Sequence, residues 1–228
     1  MPLFKSIYID PSSQILVWEI TESFEELFGQ VQLNEKSLER LNGMKSQLHQ
    51  RAFLSVRMLL KEAGYSDFDL YYDEFGKPHL LDKKHVSISH SHTFSTLVIS
   101  NQKVGIDIEM QREKIIRIAQ KFCDAEFIFL SRSFGTENKE EYIQKLTTIW
   151  GAKEAIFKIR NVEGISFKNH IRVDEFNIDD KKTKATLELE NTKQEFDIYF
   201  DAIESSEHEP IKQKFVLVYA FENNSKSI

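Results

Sequence analysis

Two carboxylates stand two residues apart in Val104-Gly105-Ile106-Asp107-Ile108-Glu109-Met110. In a strand successive side chains point to opposite faces, so Val104, Ile106, Ile108 and Met110 share one face and Asp107 and Glu109 the other. Such a face is either ordinary wet surface or a pair of hard oxygen donors aimed at one cation. A second stretch, Thr148 to Lys158, reads as helix, and it sets Glu154 and Lys158 four apart on one side. That pair is either a surface ion pair or an acid and a cation delivered to one site. A third, Ser87-Ile88-Ser89-His90-Ser91-His92, reads as a strand with the serines on one face and His90 and His92 on the other. A lone histidine is more often structural than functional, and seven in 228 residues are unremarkable.

The elements that must position these groups follow from periodicity and turn residues. KSIYI and QILVWEI read as strands around the Asp10-Pro11-Ser12-Ser13 turn, and Ser23 with Glu26 reads as a capping box. Residues 35–63 have helical spacing, with a break at Gly43 and a stop at Gly64. FDLYY, VSISHS, FSTLVIS and VGIDIEM follow as strands. Helical pieces follow at 115–122, 124–130 and 139–160, then strands in HIRVDEF, KATLELE, EFDIYF and KFVLVYAF. Strands, a long helix, strands, then helix and strands again predict an α+β fold. A boundary near 101–103 separates residues 1–102 from 103–228, without a detectable sequence repeat.

Composition narrows the function. The 228 residues suffice for one large domain or two halves of about 110 residues. A net charge of −6 argues against a nucleic-acid binder that works through bulk positive charge. The single cysteine, Cys123, allows neither an intrachain disulfide nor a cysteine-based zinc site. The start of the chain does not read as a signal peptide and no apolar run is long enough to span a bilayer, so a cytoplasmic protein is expected.

Taken together and in order, the stretches Gly76-Lys77-Pro78, Ile88-Ser89-His90-Ser91, Gly105-Ile106-Asp107-Ile108-Glu109 and Trp150-Gly151-Ala152-Lys153-Glu154-Ala155-Ile156-Phe157-Lys158 resemble the 4′-phosphopantetheinyl transferase superfamily. The nearer resemblance is to its larger, surfactin-synthetase-activating type. The last two motifs are the specific ones; GKP or ISHS alone is weak.

The resemblance implies two similar α+β halves in one chain, an intramolecular pseudo-dimer, with the active site in the cleft between them. It implies an enzyme that moves the 4′-phosphopantetheine arm of coenzyme A, its substrate, to a serine of an apo acyl or peptidyl carrier protein, releasing 3′,5′-ADP. The expected cofactor is Mg2+, with Mn2+ as a substitute. Asp107, Glu109 and Glu154 are the implied metal ligands. Glu109 or Glu154 is the implied base for the incoming serine, and Lys158 reaches the pyrophosphate or the proton. Arg51, Lys77, Ser89 and His90 are expected at the 3′-phosphate and ribose end, on the N-terminal half. Lys153 faces a phosphate or solvent. Lys36 and Lys45 are candidates for the pyrophosphate. The segment Phe122 with Asp124 to Phe127 is expected to shape the carrier site. A monomer is expected, with neither nucleic acid nor membrane as a partner. Two other readings use the same residues. One is a magnesium-dependent hydrolase of coenzyme A or nucleotide pyrophosphates; the other is a coenzyme A-binding module without turnover.

Overall fold

A computed structural model describes residues 3–133, 139–190, 192–206 and 212–223. The chain divides into two compact units, Met1–Gln102 and Lys103–Ile228.

The first unit opens with β1 (Leu3–Asp10) and β2 (Ser13–Glu19) around the expected turn, followed by α1 (Phe24–Phe28). Ser23 and Glu26 cap α1 reciprocally, as the capping box predicts. The helical stretch then splits. α2 (Glu35–Asn42) ends at Gly43, and α3 (Gln47–Glu62) runs to Ala63, with Gly64 beyond it at φ +83°. A small hairpin, β3 (Leu70–Tyr72) and β4 (Pro78–Leu80), precedes β5 (His85–Ser91) and β6 (Phe94–Ser100). The antiparallel order is β1-β2-β6-β5. α3 buries Phe53, Leu54, Met58, Leu59 and Leu60 against Leu16, Trp18, Leu97 and Ile99 of the sheet. The Ser55 and Ser95 hydroxyls, 2.7 Å apart, tie α3 to β6 inside this core.

The second unit opens with β7 (Val104–Met110). α4 (Lys114–Ile118), a single 3-10 turn, α5 (Phe127–Ser133) and α6 (Lys139–Arg160) follow. A four-residue helix, α7 (Phe167–His170), runs into β8 (Ile171–Val173). The chain closes with β9 (Lys182–Leu189), β10 (Thr192–Glu204) and β11 (Lys214–Glu222). The sheet order β7-β11-β10-β9-β8 is antiparallel throughout. α6 crosses this sheet, and its Leu146, Ile149, Ala152, Ala155 and Ile156 share one core with Phe196, Ile198, Val216 and Val218.

The fold is therefore α+β, as expected. The strand read in FDLYY shrinks to Leu70–Tyr72, and the one read in HIRVDEF shrinks to Ile171–Val173, losing His170 to the helical turn that Ser166 caps and ending before Asp174. His92 leaves the β5 face altogether; it sits in the β5–β6 turn at φ +53°. Among the described residues, no helix is long and apolar enough to cross a membrane.

Candidate active site

The alternation read in VGIDIEM holds. Gly105, Asp107 and Glu109 pair with Ala220, Val218 and Val216 of β11. Val216, Val218 and Ala220 belong to the core beneath α6, so the acidic face of β7 is the face α6 covers. Asp107 is 3 % exposed, which excludes the wet-surface reading of this face.

Two glycines let the helix come this close. A Cβ on Gly105 would run into the Ala155 carbonyl, and one on Gly151 would stand 2.7 Å from Val218 Cγ2 and 3.5 Å from Asp107 Oδ2. Gly151, Glu154 and Lys158 fall on one side of α6 by helical spacing, so this contact carries the acid and the lysine to β7. The Lys158 ammonium donates to Asp107 Oδ1 at 2.8 Å and to the Ile106 carbonyl at 2.9 Å. Glu154 and Lys158 are thus no surface ion pair. Burial, the Asp107 carboxylate and then that of Glu109 push Glu154 up to about 7, against the pull of Lys158.

Three carboxylates share this space with one ammonium. Among the described residues no three His, Cys, Asp or Glu side chains are drawn together tightly enough to hold an ion as they stand. In donor chemistry the set still fits a divalent hard cation. It offers carboxylate oxygens only, and burial together with the neighbouring acids holds a proton on Glu154 near neutral pH.

That proton has a consequence for stability. Glu154 binds protons more tightly in the fold than its ordinary value of 4.5. Its contribution is fully present below about pH 4.5 and is lost as pH rises through about 7. In EDTA at pH 8, Glu154→Gln should therefore be more stable than the parent by about 1–3 kcal/mol, a melting shift of about 5 °C. At pH 5 the gain should vanish. Equal melting temperatures across this range in a pH-resolved thermal scan would contradict the coupling.

Lys153 requires a correction. It neither faces a phosphate nor is solvated: it is 0 % exposed. Its ammonium donates to the carbonyls of Phe122 (2.7 Å), Phe167 (3.0 Å) and Ile171 (2.7 Å) and pairs with Glu126 at 2.7 Å. Helical spacing puts it on the stripe with Trp150 and Phe157, turned away from Glu154. Phe122 is 1 % exposed and its ring packs edge-on to Trp150 at 5.2 Å, so it acts on the surface of its segment only from beneath. Just beyond the segment, Ile128 is 61 % exposed. Asp124 and Ala125 line a cavity of about 450 Å³. Its wall sets Asp174, Glu188 and Glu195 against Lys168, Arg172 and Lys193, so it has no excess of positive charge.

The first-unit candidates gather in part. Arg51, in the first turns of α3, donates to the Glu22 carbonyl (Nε, 2.7 Å) and the Ile20 carbonyl (2.9 Å), and the Ile20 amide donates to the Thr93 carbonyl. This binds the start of α3 to the end of β2 and to the β5–β6 turn, beside His90. His90 is exposed and its ring centroid lies 6.4 Å from that of His49, while Ser89 is buried. Lys77 follows Gly76, which needs its φ of +79° for the turn. The Lys77 amide donates to Asp73 Oδ1, and the Asp73 amide returns a bond to the Lys77 carbonyl.

Sequence reasoning missed Glu126, which is 1 % exposed and accepts from the Asp124 and Val173 amides. Nothing in DAEF separates a buried glutamate from an exposed one. It also missed why the glycines are there, though Gly151 carried a signal. Glycine inside a helix costs about 1 kcal/mol, so it marks a close approach.

A sequence profile described as the 4′-phosphopantetheinyl transferase superfamily matches residues 103–219, more than half of the chain and the whole of the acidic site. A curated relative from Aneurinibacillus migulanus, the 4′-phosphopantetheinyl transferase gsp, is 31% identical over 128 residues, 56% of this chain and 50% of the relative. The chain thus spans about half the length of the curated relative it matches. With the acidic strand, the glycine contact and the Glu154–Lys158 helix all inside the matched region, the chain belongs to the 4′-phosphopantetheinyl transferase superfamily.

Proposed function

We propose that this chain transfers the 4′-phosphopantetheine arm of coenzyme A to a serine of an apo acyl or peptidyl carrier protein, in a magnesium-dependent reaction that releases 3′,5′-ADP. The proposal includes a monomeric, cytoplasmic chain whose two α+β units are related halves. The observation that carries the reading is the buried Asp107 paired with the half-buried Lys158, with the proton-retaining Glu154 and Glu109 beside them.

In the transfer the serine oxygen bonds to the β-phosphorus, the bond from that phosphorus to the departing 3′,5′-ADP oxygen breaks, and the serine proton is lost. Phosphoryl transfer of this kind depends on positioning and on neutralising charge. Asp107, Glu109 and Glu154 would hold the magnesium, which supplies Lewis-acid charge neutralisation when bound. The Lys158 ammonium, held by Asp107 and the Ile106 carbonyl, would meet a pyrophosphate oxygen or help shuttle the proton. Glu109 or Glu154 would take the serine proton, directly or through water; burial and the neighbouring Asp107 carboxylate push Glu154 up to about 7, which suits proton transfer at physiological pH. Arg51, Lys77, Ser89 and His90 serve the 3′-phosphate and ribose end; Arg51 does so with a guanidinium already fixed in place by two carbonyls.

The test is the intact mass of an apo carrier protein after incubation with the chain, coenzyme A and Mg2+, with EDTA as control. A metal-dependent gain of one phosphopantetheine is expected. Coenzyme A hydrolysed without any gain on acyl and peptidyl carriers would overturn the reading in favour of a hydrolase. Coenzyme A bound but intact on the same carriers would overturn it in favour of a binding module.

A further inference from the structure

The unused charges in the second unit are the Glu126–Lys153 pair, and they are wholly dry. A buried ion pair is weak evidence for stability, because desolvation offsets much of the Coulomb gain. This one does something an apolar pair could not. β8 is an edge strand, paired only with β9. Its outward Ile171 carbonyl is taken by Lys153 and its Val173 amide by Glu126, so the two charged side chains stand in for a missing neighbour strand. The same ammonium holds the Phe122 carbonyl before α5 and the Phe167 carbonyl in α7, and the same carboxylate holds the Asp124 amide. Two separate stretches, 122–124 and 167–173, are thereby fastened to one point on α6.

That point lies one residue from Glu154. The glycine contacts fix how near α6 stands to β7, and the core side chains of the helix limit its rotation. Lys153, about 100° around the helix from Glu154 and bonded to three carbonyls, adds a directional restraint on that rotation that apolar packing lacks. At a side-chain radius of about 6 Å, a turn of about 10° moves a carboxylate about 1 Å.

We propose that Glu126 and Lys153 form a positioning device for α6, fixing the rotation that aims Glu154 and Lys158 at Asp107. This rests on the transferase reading above, since the effect expected is on the chemical step. A misplacement of about 1 Å is enough to cost up to about 100-fold in rate.

The test uses Glu126→Gln, which keeps shape and one acceptor, and Lys153→Met, which keeps length and removes the ammonium. Both are assayed where circular dichroism shows them folded. Steady-state transfer is measured together with 19F NMR of 5-fluorotryptophan protein. Trp150, whose ring packs on Phe122 and Phe167 at 5.2 and 5.5 Å, reports the rotation of α6, and Trp18 is the internal control. Glu126→Gln should lower kcat about 10- to 100-fold, leave KM for coenzyme A within about twofold, and shift the Trp150 resonance alone. An unchanged kcat, a change confined to KM, or a lowered kcat with an unmoved Trp150 resonance would each overturn the proposal. If Lys153→Met does not fold, Glu126→Gln decides. If the parent itself transfers nothing, the transferase reading fails, and the device is judged by the Trp150 resonance, which must still move.

Discussion

Asp107→Asn should fold and bind coenzyme A, yet transfer phosphopantetheine about 10³-fold more slowly than the parent. The substitution conserves volume at a site 3 % exposed, so packing should survive. The charge does not. Lys158 loses the negative charge of its partner at 2.8 Å and is left with a neutral amide oxygen there beside the Ile106 carbonyl, and the first metal-holding group of the proposed site becomes a neutral amide. The largest like-charge effect on Glu154 also disappears, so that carboxyl should titrate closer to its ordinary value. Loss should fall on kcat, because Asp107 holds Lys158 and belongs to the proposed metal site, whereas the 3′-phosphate is assigned to other residues. Steady-state kinetics with calorimetric coenzyme A binding separates the two effects. A rate within about tenfold of the parent would remove Asp107 from the reaction centre. Loss of binding with kcat preserved would reassign it to the nucleotide.

Why Asp107 was legible in the sequence and Lys153 was not has a physical reason. A strand alternates with period two, so one apolar face fixes where the acids point, and VGIDIEM has such a face. α6 gives no such guide. It is buried on nearly every side, by Ile143, Leu146, Ile149, Ala152 and Ile156 but also by Thr147, Thr148 and Gly151. A helix without a polar stripe cannot tell a lysine that meets ligand from one that meets backbone carbonyls. Lys158 and Lys153 are both lysines on this helix, and only tertiary context separates them. The burial of Phe122 was unreadable for a related reason: aromatic residues suit docking surfaces and cores alike, and here the ring packs on Trp150. In the first unit, the capping box at Ser23 and the stops at Gly43 and Gly64 were local and therefore readable. The bonds from Arg51 to Ile20 and Glu22 span about thirty positions of sequence and left no local trace.

Gly105→Ala and Gly151→Ala should separate the stability of the second unit from the rate of its chemistry. At Gly105 the new methyl meets backbone: the Ala155 carbonyl oxygen, with its carbon at 2.8 Å, and Ile159 Cγ1 at 3.1 Å. Backbone cannot rotate aside, so α6 must lift from β7 or the strand must bend. Overpacking of this kind costs about 3 kcal/mol, and Gly105→Ala should melt correspondingly lower. At Gly151 the methyl meets Val218 Cγ2 at 2.7 Å and Cβ at 3.2 Å, side-chain atoms of a stiff β-branched residue. That clash is opposed by about 1 kcal/mol of helix propensity gained on replacing glycine with alanine, so melting should change little. Both changes push α6 away from Asp107, and the Lys158–Asp107 contact at 2.8 Å has no slack to absorb it. Gly151→Ala should therefore lose about 100-fold in kcat at nearly unchanged stability. If its rate followed its melting temperature instead, the helix–strand spacing would be a packing requirement alone. A slow but stable Gly151→Ala would show that the two glycines are retained for the distance they set between Glu154 and β7, and that the helix tolerates a residue of poor propensity to keep it.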